Sequence, residues 1–394
     1  MPVRREWTVL PKRGAGPRRN DSPNQKGDVM DTERIETVIV GGGQAGLAMG
    51  YQLARRSRPF VILEAADRVG DSWRNRWDSL RLFSPARYDG LPGMPYPGPA
   101  WSFPTHEEFA DYLADYAARW QLPVRTGVAV RQLRHDGERY VLDTDDGRYE
   151  ADNVVVAAGY DRLPVVPAFA ADLDPDIVQL TPCDYRNPGQ LRDGDVLVVG
   201  AGNSGADIAL DLAGTHRVVL SGRHPGQLPW HIDRWTARVF TPLAMFAFRH
   251  VLTVRTPMGR AMRRRALVHS GPLIRIKSAD LAAAGIERVA RTVGVADGRP
   301  ALADGRALDV ANVVWCTGFR PDASWIDLPA LDAGGDPQQR RGVVTGHPGL
   351  YFLGRLFQDS LSSSMIRGVG RDADHVAAHI AARSPDRRPL VSAA

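Results

Sequence analysis

Cysteine is almost missing from this 394-residue chain, which holds only Cys183 and Cys316. Two cysteines without a C-x-x-C spacing exclude a disulfide framework, a zinc knuckle and a vicinal dithiol centre, and they point to a reducing, cytoplasmic setting with no metal site. Long apolar runs are missing too. No window of 18 uncharged apolar residues occurs, and the N-terminus lacks a continuous apolar core, so neither a transmembrane segment nor a signal peptide is expected. The body of the chain also has little net charge. Although the formal charge is +5, residues 1–30 carry seven basic groups against three acidic ones, which leaves the other 364 residues nearly neutral. Nucleic acid is therefore not an expected partner, because tracking phosphates needs many cations on one folded face.

A hydrophobic content of 43% is enough for two or three domains with cores of their own. The basic tail, residues 1–30, is rich in Pro, Gly, Asn and Arg without periodicity and is expected to be disordered. Met30 stands just before the first strong strand, so the tail reads as the product of an upstream start codon and, on that reading, as functionally empty.

Order begins with Thr37-Val38-Ile39-Val40, which runs into Gly41-Gly42-Gly43-Gln44-Ala45-Gly46 and then a helically spaced apolar stretch. A second strand, Phe60-Val61-Ile62-Leu63, stops at Glu64, 23 residues beyond Gly41. That is close to the ~20 residues expected when a carboxylate grips a ribose diol in a βαβ unit. The same order returns 159 residues later: strand 195–199, turn Gly200-Ala201-Gly202-Asn203-Ser204-Gly205, helix, and strand Val218-Val219-Leu220. Here the second strand ends in Ser221-Gly222-Arg223 rather than an acid. A hydroxyl and a guanidinium suit a ribose 2′-phosphate, although an arginine after a strand is also an ordinary surface residue. The first turn thus reads as a site for FAD and the second for NADPH. In both, glycines let backbone N–H groups approach a pyrophosphate at a helix N-terminus.

Two further apolar strands, 153–156 and 312–315, end in Ala157-Ala158-Gly159 and Cys316-Thr317-Gly318, with prolines just beyond. They mark passages between domains. The expected fold is α/β, with two Rossmann-like dinucleotide-binding domains, the NADP domain inserted into the FAD domain. The divisions are 31–167 and 318–394 for FAD and 168–317 for NADP, with a helical lid region at about 235–265. That region mixes an apolar run with many arginines and reads first as a buried or lid helix, which Pro242 starts or kinks; a partner face and a membrane-surface helix are the alternatives. The Trp- and Arg-rich stretch 70–85 is either a surface loop of stacked arginines or a wall over the flavin.

These motifs together resemble the flavin-containing monooxygenase superfamily, and within it a bacterial flavoprotein group loosely associated with cation transport. The resemblance spans about residues 34–384. It rests on both glycine turns, Glu64, Gly70-Asp71-Ser72-Trp73-Arg74, Cys316-Thr317-Gly318-Phe319 and Gly349-Leu350-Tyr351-Phe352-Leu353-Gly354. It implies FAD contacts at Gly41, Gly43, Gln44, Gly46, Glu64, Trp73, Arg74, Val130, Ala158, Gly318, Gly354 and Gln358. NADP contacts would come from Gly200, Gly202, Asn203, Ser204, Gly205, Ser221, Arg223 and Thr317. A last helix, opening near Leu361, would point its N-terminus at the flavin ring, with Gln358 and Ser362–Ser364 beside it. Three aromatic side chains, Trp73, Phe83 and Phe357, would wall the flavin.

By this resemblance NADPH reduces FAD, O2 forms a C4a-(hydro)peroxyflavin, and one oxygen atom passes to a small organic substrate. No catalytic side chain is assigned, and a homodimer is compatible with the reading. There are departures from the family pattern. Its FxGxxxHxxxY/F linker falls at Pro175, Ile177, Thr181 and Tyr185, with only the tyrosine kept; Phe83 stands where many members place an asparagine; and Trp77 is followed by Asp78 where Baeyer–Villiger relatives carry an aromatic-Pro pair. A reductase or oxidase that oxygenates nothing is the competing reading, with a non-catalytic flavin sensor as a third.

Overall fold

Val38-Ile39-Val40 and Val154-Val155-Val156 are apolar at successive positions rather than alternate ones, which suits parallel strands covered on both faces. The computed structural model describes residues 7–8, 32–159, 163–267, 270–332 and 335–383. In it the chain runs through β1 (Thr32–Val40), α1 (Gln44–Ala54), β2 (Phe60–Leu63), α2 (His106–Arg119) and β3 (Val124–Arg125). A hairpin, β4 (Val130–His135) and β5 (Tyr140–Thr144), then leads to β6 (Arg148–Val156). Strand β1 lies parallel between β2 and β6, with Val38 opposite Val61 and Val154. The capping box of Thr105 and Glu108 starts α2.

The chain then leaves this sheet and builds a second one from β7 (Val178–Leu180), β8 (Val196–Val199), α3 (Asn203–Leu212), β9 (Val218–Ser221), α4 (Ala237–His250), α5 (Pro257–Ala266), β10 (Glu287–Val289) and β11 (Asn312–Trp315). Its five strands are all parallel in the order β7-β11-β8-β9-β10. Finally the chain returns to pair β12 (Leu350–Phe352) with β6 and to lay α6 (Ile366–Arg383) beside α1. The fold is thus α/β with two Rossmann-like units, one nested in the sequence of the other. Each sheet is filled on both faces. The first packs Leu47, Phe109 and Val376 on one side and Leu133, Leu142 and Leu350 on the other. The second packs Ile208 and Leu273 on one side and Val199 and Trp315 on the other.

Two expectations change here, and a third falls almost wholly outside the described residues. The disorder expected over residues 1–30 lies outside the described residues except at Trp7–Thr8, which form a two-residue antiparallel pairing with Val166–Pro167. The last helix begins at Ile366 rather than near Leu361, because the Ser363 hydroxyl accepts the N–H groups of Asp359 and Ser360 and holds that segment in turns. Region 235–265 is two helices, not a buried one. Within α4 only Ala237 and Thr241 are buried, while Trp235, Val239, Phe240, Leu243 and Phe246 face outward. The small residues at positions i and i+4 supply the packed face, so the large apolar ones are left on the other; Pro242 lies inside α4.

The two units meet at Trp77. Its indole Nε1 donates to Asp207 Oδ2 on α3 at 2.9 Å, and Asp207 also pairs with Arg275. Asp78 reinforces the contact, its N–H donating to the Arg186 carbonyl at 2.8 Å and its carboxylate accepting from Asn187 Nδ2 at 2.7 Å. Replacing Trp77 by Phe removes one donor to a buried carboxylate while keeping most of the packing. Chemical denaturation should show a loss of about 1–3 kcal/mol; an unchanged midpoint would mean that the indole does not join the two units.

Candidate functional site

At the first glycine turn, three glycines face three different surroundings. Gly41 has φ +106°, and a Cβ there would sit 2.6 Å from the Ala157 carbonyl oxygen, so the turn lies against the chain leaving β6. At Gly46 a Cβ would be 1.8 Å from the Gly41 oxygen, which forces glycine for helix-to-strand packing. At Gly43, the residue preceding α1, a Cβ would meet nothing within 4 Å. Open space at that middle position, with the α1 N-terminus behind it, is the shape of a phosphate cradle. Glu64 closes one side, its Oε2 accepting from the Gly42 N–H at 2.6 Å and its Oε1 from the Ala66 N–H at 2.9 Å.

The second turn repeats this geometry. Gly200 has φ +110° and a Cβ position 2.1 Å from the Cys316 oxygen; that of Gly205 is 1.8 Å from the Gly200 oxygen; Gly202 faces open space. The first-turn Gly41 N–H donates to the Leu63 carbonyl and the second-turn Gly200 N–H to the Ser221 carbonyl, each at 2.8 Å. Arg223, just past β9, is exposed and has no ion-pair partner among the described residues. Arg288 was not singled out from the sequence, yet its guanidinium donates to the Gly222 carbonyl at 2.9 Å and so adds a second cation to the same loop. A lone arginine on a short edge strand carries no local signal.

Several residues expected at the cofactors are brought to the turns. Ala158 lies against Gly41, whose Cβ position is 3.0 Å from the Ala158 Cα. Gly354 abuts Ala45 at the start of α1. Trp73 Nε1 donates to Gln44 Oε1 at 3.2 Å, which pins the 70–74 loop over the turn. Val130 begins β4 close to Glu64, since the Val128 N–H donates to the Glu64 carbonyl at 2.9 Å. Gly318, at φ +104°, faces open space, and its carbonyl accepts from the Val165 N–H. Ser204 lines the cleft between the units.

Others are turned to structural tasks. Arg74 is taken up by Asp111, Asp71 and the Val69 carbonyl, not left free for phosphate. Ser221 is fully buried. Its hydroxyl donates to the Ala290 carbonyl and accepts from Thr292, because the last side chain of β9 points inward, so it is not an exposed phosphate ligand. Asn203 ties the start of α3 to the 272–274 segment, donating to the Pro272 carbonyl and accepting from the Ile274 N–H. The Thr317 hydroxyl donates to the Val165 carbonyl. Gln358 is buried with its Nε2 aimed at Gly342, where a Cβ would be 2.4 Å away, rather than into open space. At the departed linker position, the Thr181 hydroxyl donates to Asp184 at 2.7 Å, and Tyr185 donates to Asp211 at 2.6 Å.

Between the two units lies a cleft lined by Trp77, Leu80, Arg81, Phe83, Ser204 and Arg275. Phe83 is exposed on its wall. Burial pushes the Asp207 carboxyl up, against the opposing pull of Arg275 and Trp77. Asp89, six residues beyond Phe83, is fully buried and was also passed over in the sequence. Burial raises its carboxyl to about 7, opposed by the Ser84 hydroxyl, which donates to Oδ1 at 2.5 Å. This carboxyl therefore changes protonation near neutrality, inside the first unit and coupled to Tyr96 and Tyr112.

The family described as pyridine nucleotide-disulphide oxidoreductase matches residues 38–237. The chain belongs to that family. Within this oxidoreductase family it is 37% identical over 344 residues to an uncharacterized oxidoreductase CzcO-like of Geobacillus kaustophilus, covering 87% of this chain and 97% of that one. It is 31% identical to the probable indole-3-pyruvate monooxygenase YUCCA9 of Arabidopsis thaliana, over 73% of this chain and 76% of that one. Among solved structures, a flavin-containing monooxygenase from Stenotrophomonas maltophilia matches with a TM-score of 0.67 and 27% identity, over 89% and 99% of the two chains. The flavin-containing monooxygenase-like superfamily implied by the sequence motifs is thereby shown.

Asp89 generates a prediction about pH. Between about 4 and about 7 the folded chain keeps this proton while the unfolded chain releases it, so the group's contribution to stability falls as pH rises through that window and is level above it. Asp89→Asn removes the slope. Urea unfolding at pH 5 and pH 8 should show the variant gaining on the parent by roughly 2–3 kcal/mol between the two. A gap that does not change with pH would show that the carboxyl titrates normally.

Proposed function

We propose that this protein is an FAD- and NADPH-dependent monooxygenase that transfers one oxygen atom from O2 to a small organic substrate. The observation that carries the reading is the pairing of two glycine turns, each sealed at its outer glycines and open at Gly43 or Gly202, with an acid beside one and unpaired arginine beside the other. FAD fits the first turn: Gly41, Gly43 and Gly46 would admit its pyrophosphate, Glu64 its ribose, and Ala158, Gly318 and Gly354 allow close backbone approach. NADPH fits the second, with Arg223 and Arg288 at the 2′-phosphate, an anion that a carboxylate in that place would repel. The flavin, once reduced by NADPH, supplies the oxygen-activating chemistry.

The chain's own residues orient and shield. Trp73 packs edge-on against Phe109 and, through Gln44, closes the first turn. Trp77 and Phe83 wall the cleft, and a dry wall slows water and stray protons from reaching the reacting atoms. Both thiols are raised by burial, which supports a reading without thiolate chemistry. Phe83 in place of the family asparagine favours one alternative, an NADPH oxidase that passes electrons to O2 without oxygenating a substrate.

The two are separated by following NADPH consumption, hydrogen peroxide and product over a panel of sulfides, amines and 2-oxo acids. A monooxygenase returns little peroxide and one product per NADPH on at least one substrate class; stoichiometric peroxide on every substrate would establish the oxidase.

Two substitutions test the cofactor assignments. Gly43→Val places a side chain in open space, so the protein should fold with its usual thermal midpoint in the FAD-free form yet purify colourless; retained FAD would refute the placement. Arg223→Ala should raise the KM for NADPH about 10–100-fold, the worth of a charge-assisted contact, while leaving that for NADH within about two-fold. Equal losses with both coenzymes would remove Arg223 from the 2′-phosphate.

A further inference from the structure

The helix pair α4 and α5 is unlike the rest of the surface in two independent ways. First, its apolar side chains are outside. Trp235 is 75% exposed, Val239 61%, Leu243 66% and Phe246 59%; the last three recur at helical spacing and form one stripe opposite the buried Ala237 and Thr241. Met258 and Leu267 add exposed apolar surface at the two ends of α5. Isolated exposed apolar residues are ordinary, but a contiguous row of large ones marks a contact surface.

Second, the segment has no acid. From Arg234 to Ala279 there is not one Asp or Glu, while ten cations fall in the same stretch. Arg255 and Arg275 are paired with Asp359 and Asp207. The other arginines of the helix pair, Arg234, Arg238, Arg249, Arg260 and Arg263–Arg265, are exposed without an ion-pair partner among the described residues. Val254, Arg255 and Arg260 also form one wall of a cavity of about 710 Å3, whose other lining includes Arg340, Arg341, His375 and His379 and again no acid.

We propose that α4 and α5 dock this protein on an anionic lipid surface, the α4 stripe entering the headgroup–acyl boundary and the unpaired arginines meeting lipid phosphates and carboxylates. Charge complementarity selects this occupant. A second copy would bring the same acid-free row of arginines against its twin, and like charges face to face oppose association. A nucleic acid would satisfy the arginines but leave Trp235, Leu243 and Phe246 in water. An anionic bilayer satisfies both at once, as interfacial amphipathic helices do, and it needs no helix long enough to cross a membrane; none of the described helices is. This inference does not depend on the reaction that the two turns support.

The test uses the FAD-loaded full chain and vesicles of phosphatidylcholine alone or with about one third phosphatidylserine. Cosedimentation should favour the anionic vesicles by about ten-fold or more and weaken with added salt, and tryptophan emission should shift to the blue on binding. Each arginine near an anionic surface favours binding about five-fold, so Arg263→Gln, Arg264→Gln and Arg265→Gln combined should weaken it about 100-fold. Leu243→Ser with Phe246→Ser should weaken it about ten-fold or more through the lost apolar contact. Both variants should keep the parent's NADPH oxidation in vesicle-free buffer, which shows that they are folded.

Equal binding to neutral and anionic vesicles, or no binding to either, would overturn the proposal. So would parent-like binding by the Leu243→Ser/Phe246→Ser variant, since the contact would then be charge alone. A stable dimer in solution that the same variant converts to monomer would assign the stripe to a second copy instead.

Discussion

The approach of one backbone to another at the first glycine of each turn is the constraint on which the site depends. A Cβ at Gly41 would sit 2.6 Å from the Ala157 oxygen, and one at Gly200 would sit 2.1 Å from the Cys316 oxygen. No other residue type tolerates that distance at a positive φ. Because the approaching strand is in each case the one from which the chain leaves its sheet, the two exits, at Ala158 and Thr317, are held against the two turns. Passage between units and opening of each turn are therefore the same feature. Val165 ties the exits to one another, its N–H donating to the Gly318 carbonyl and its own carbonyl accepting from Thr317.

What was legible in the sequence was what depends on neighbours along the chain. The glycine spacing, the buried-type strands and the distance to Glu64 are all set within one βαβ unit, and the structure repeats them at both turns. What could not be read depends on partners brought in by the fold. Ser221 looked like a ligand because it follows a strand, but Thr292, 71 residues away, takes its hydroxyl. Arg74 was expected at the flavin from the resemblance of its loop, but Asp111 on α2 claims it. Asp89 gave no signal, since an aspartate in a Gly- and Pro-rich stretch is ordinarily a turn residue; its burial, and the raised carboxyl that follows, come from loop packing that no local pattern encodes.

The region around α4 fails for a different reason. Periodicity identifies an amphipathic helix, and it identifies which side chains share a face. It does not say which face is turned inward. The usual inference assigns the large apolar face to the core, yet here Ala237 and Thr241 form the packed side. The clue was in the charge, not the period: an acid-free stretch rich in arginine has nothing on its own helices to neutralise it, so a surface that supplies the anions completes it.

The same contrast distinguishes two of the places where this oxidoreductase leaves large apolar groups near solvent. At the interdomain cleft, Phe83 is accompanied by a complete set of polar partners: Trp77 donates to Asp207, Asp207 pairs with Arg275, and the cleft has both signs of charge on its walls. The charged groups of such a wall are paired within the chain, and under the proposed function a small substrate would fill the space beside it. The stripe on α4 has cations on its flanks and no carboxylate within its segment, so neither its apolar area nor its charge is satisfied by the chain itself. A small organic molecule would cover part of that area and leave the arginines as they are. An extended anionic surface satisfies both, which is why the two exposed apolar regions are assigned occupants of different size and charge.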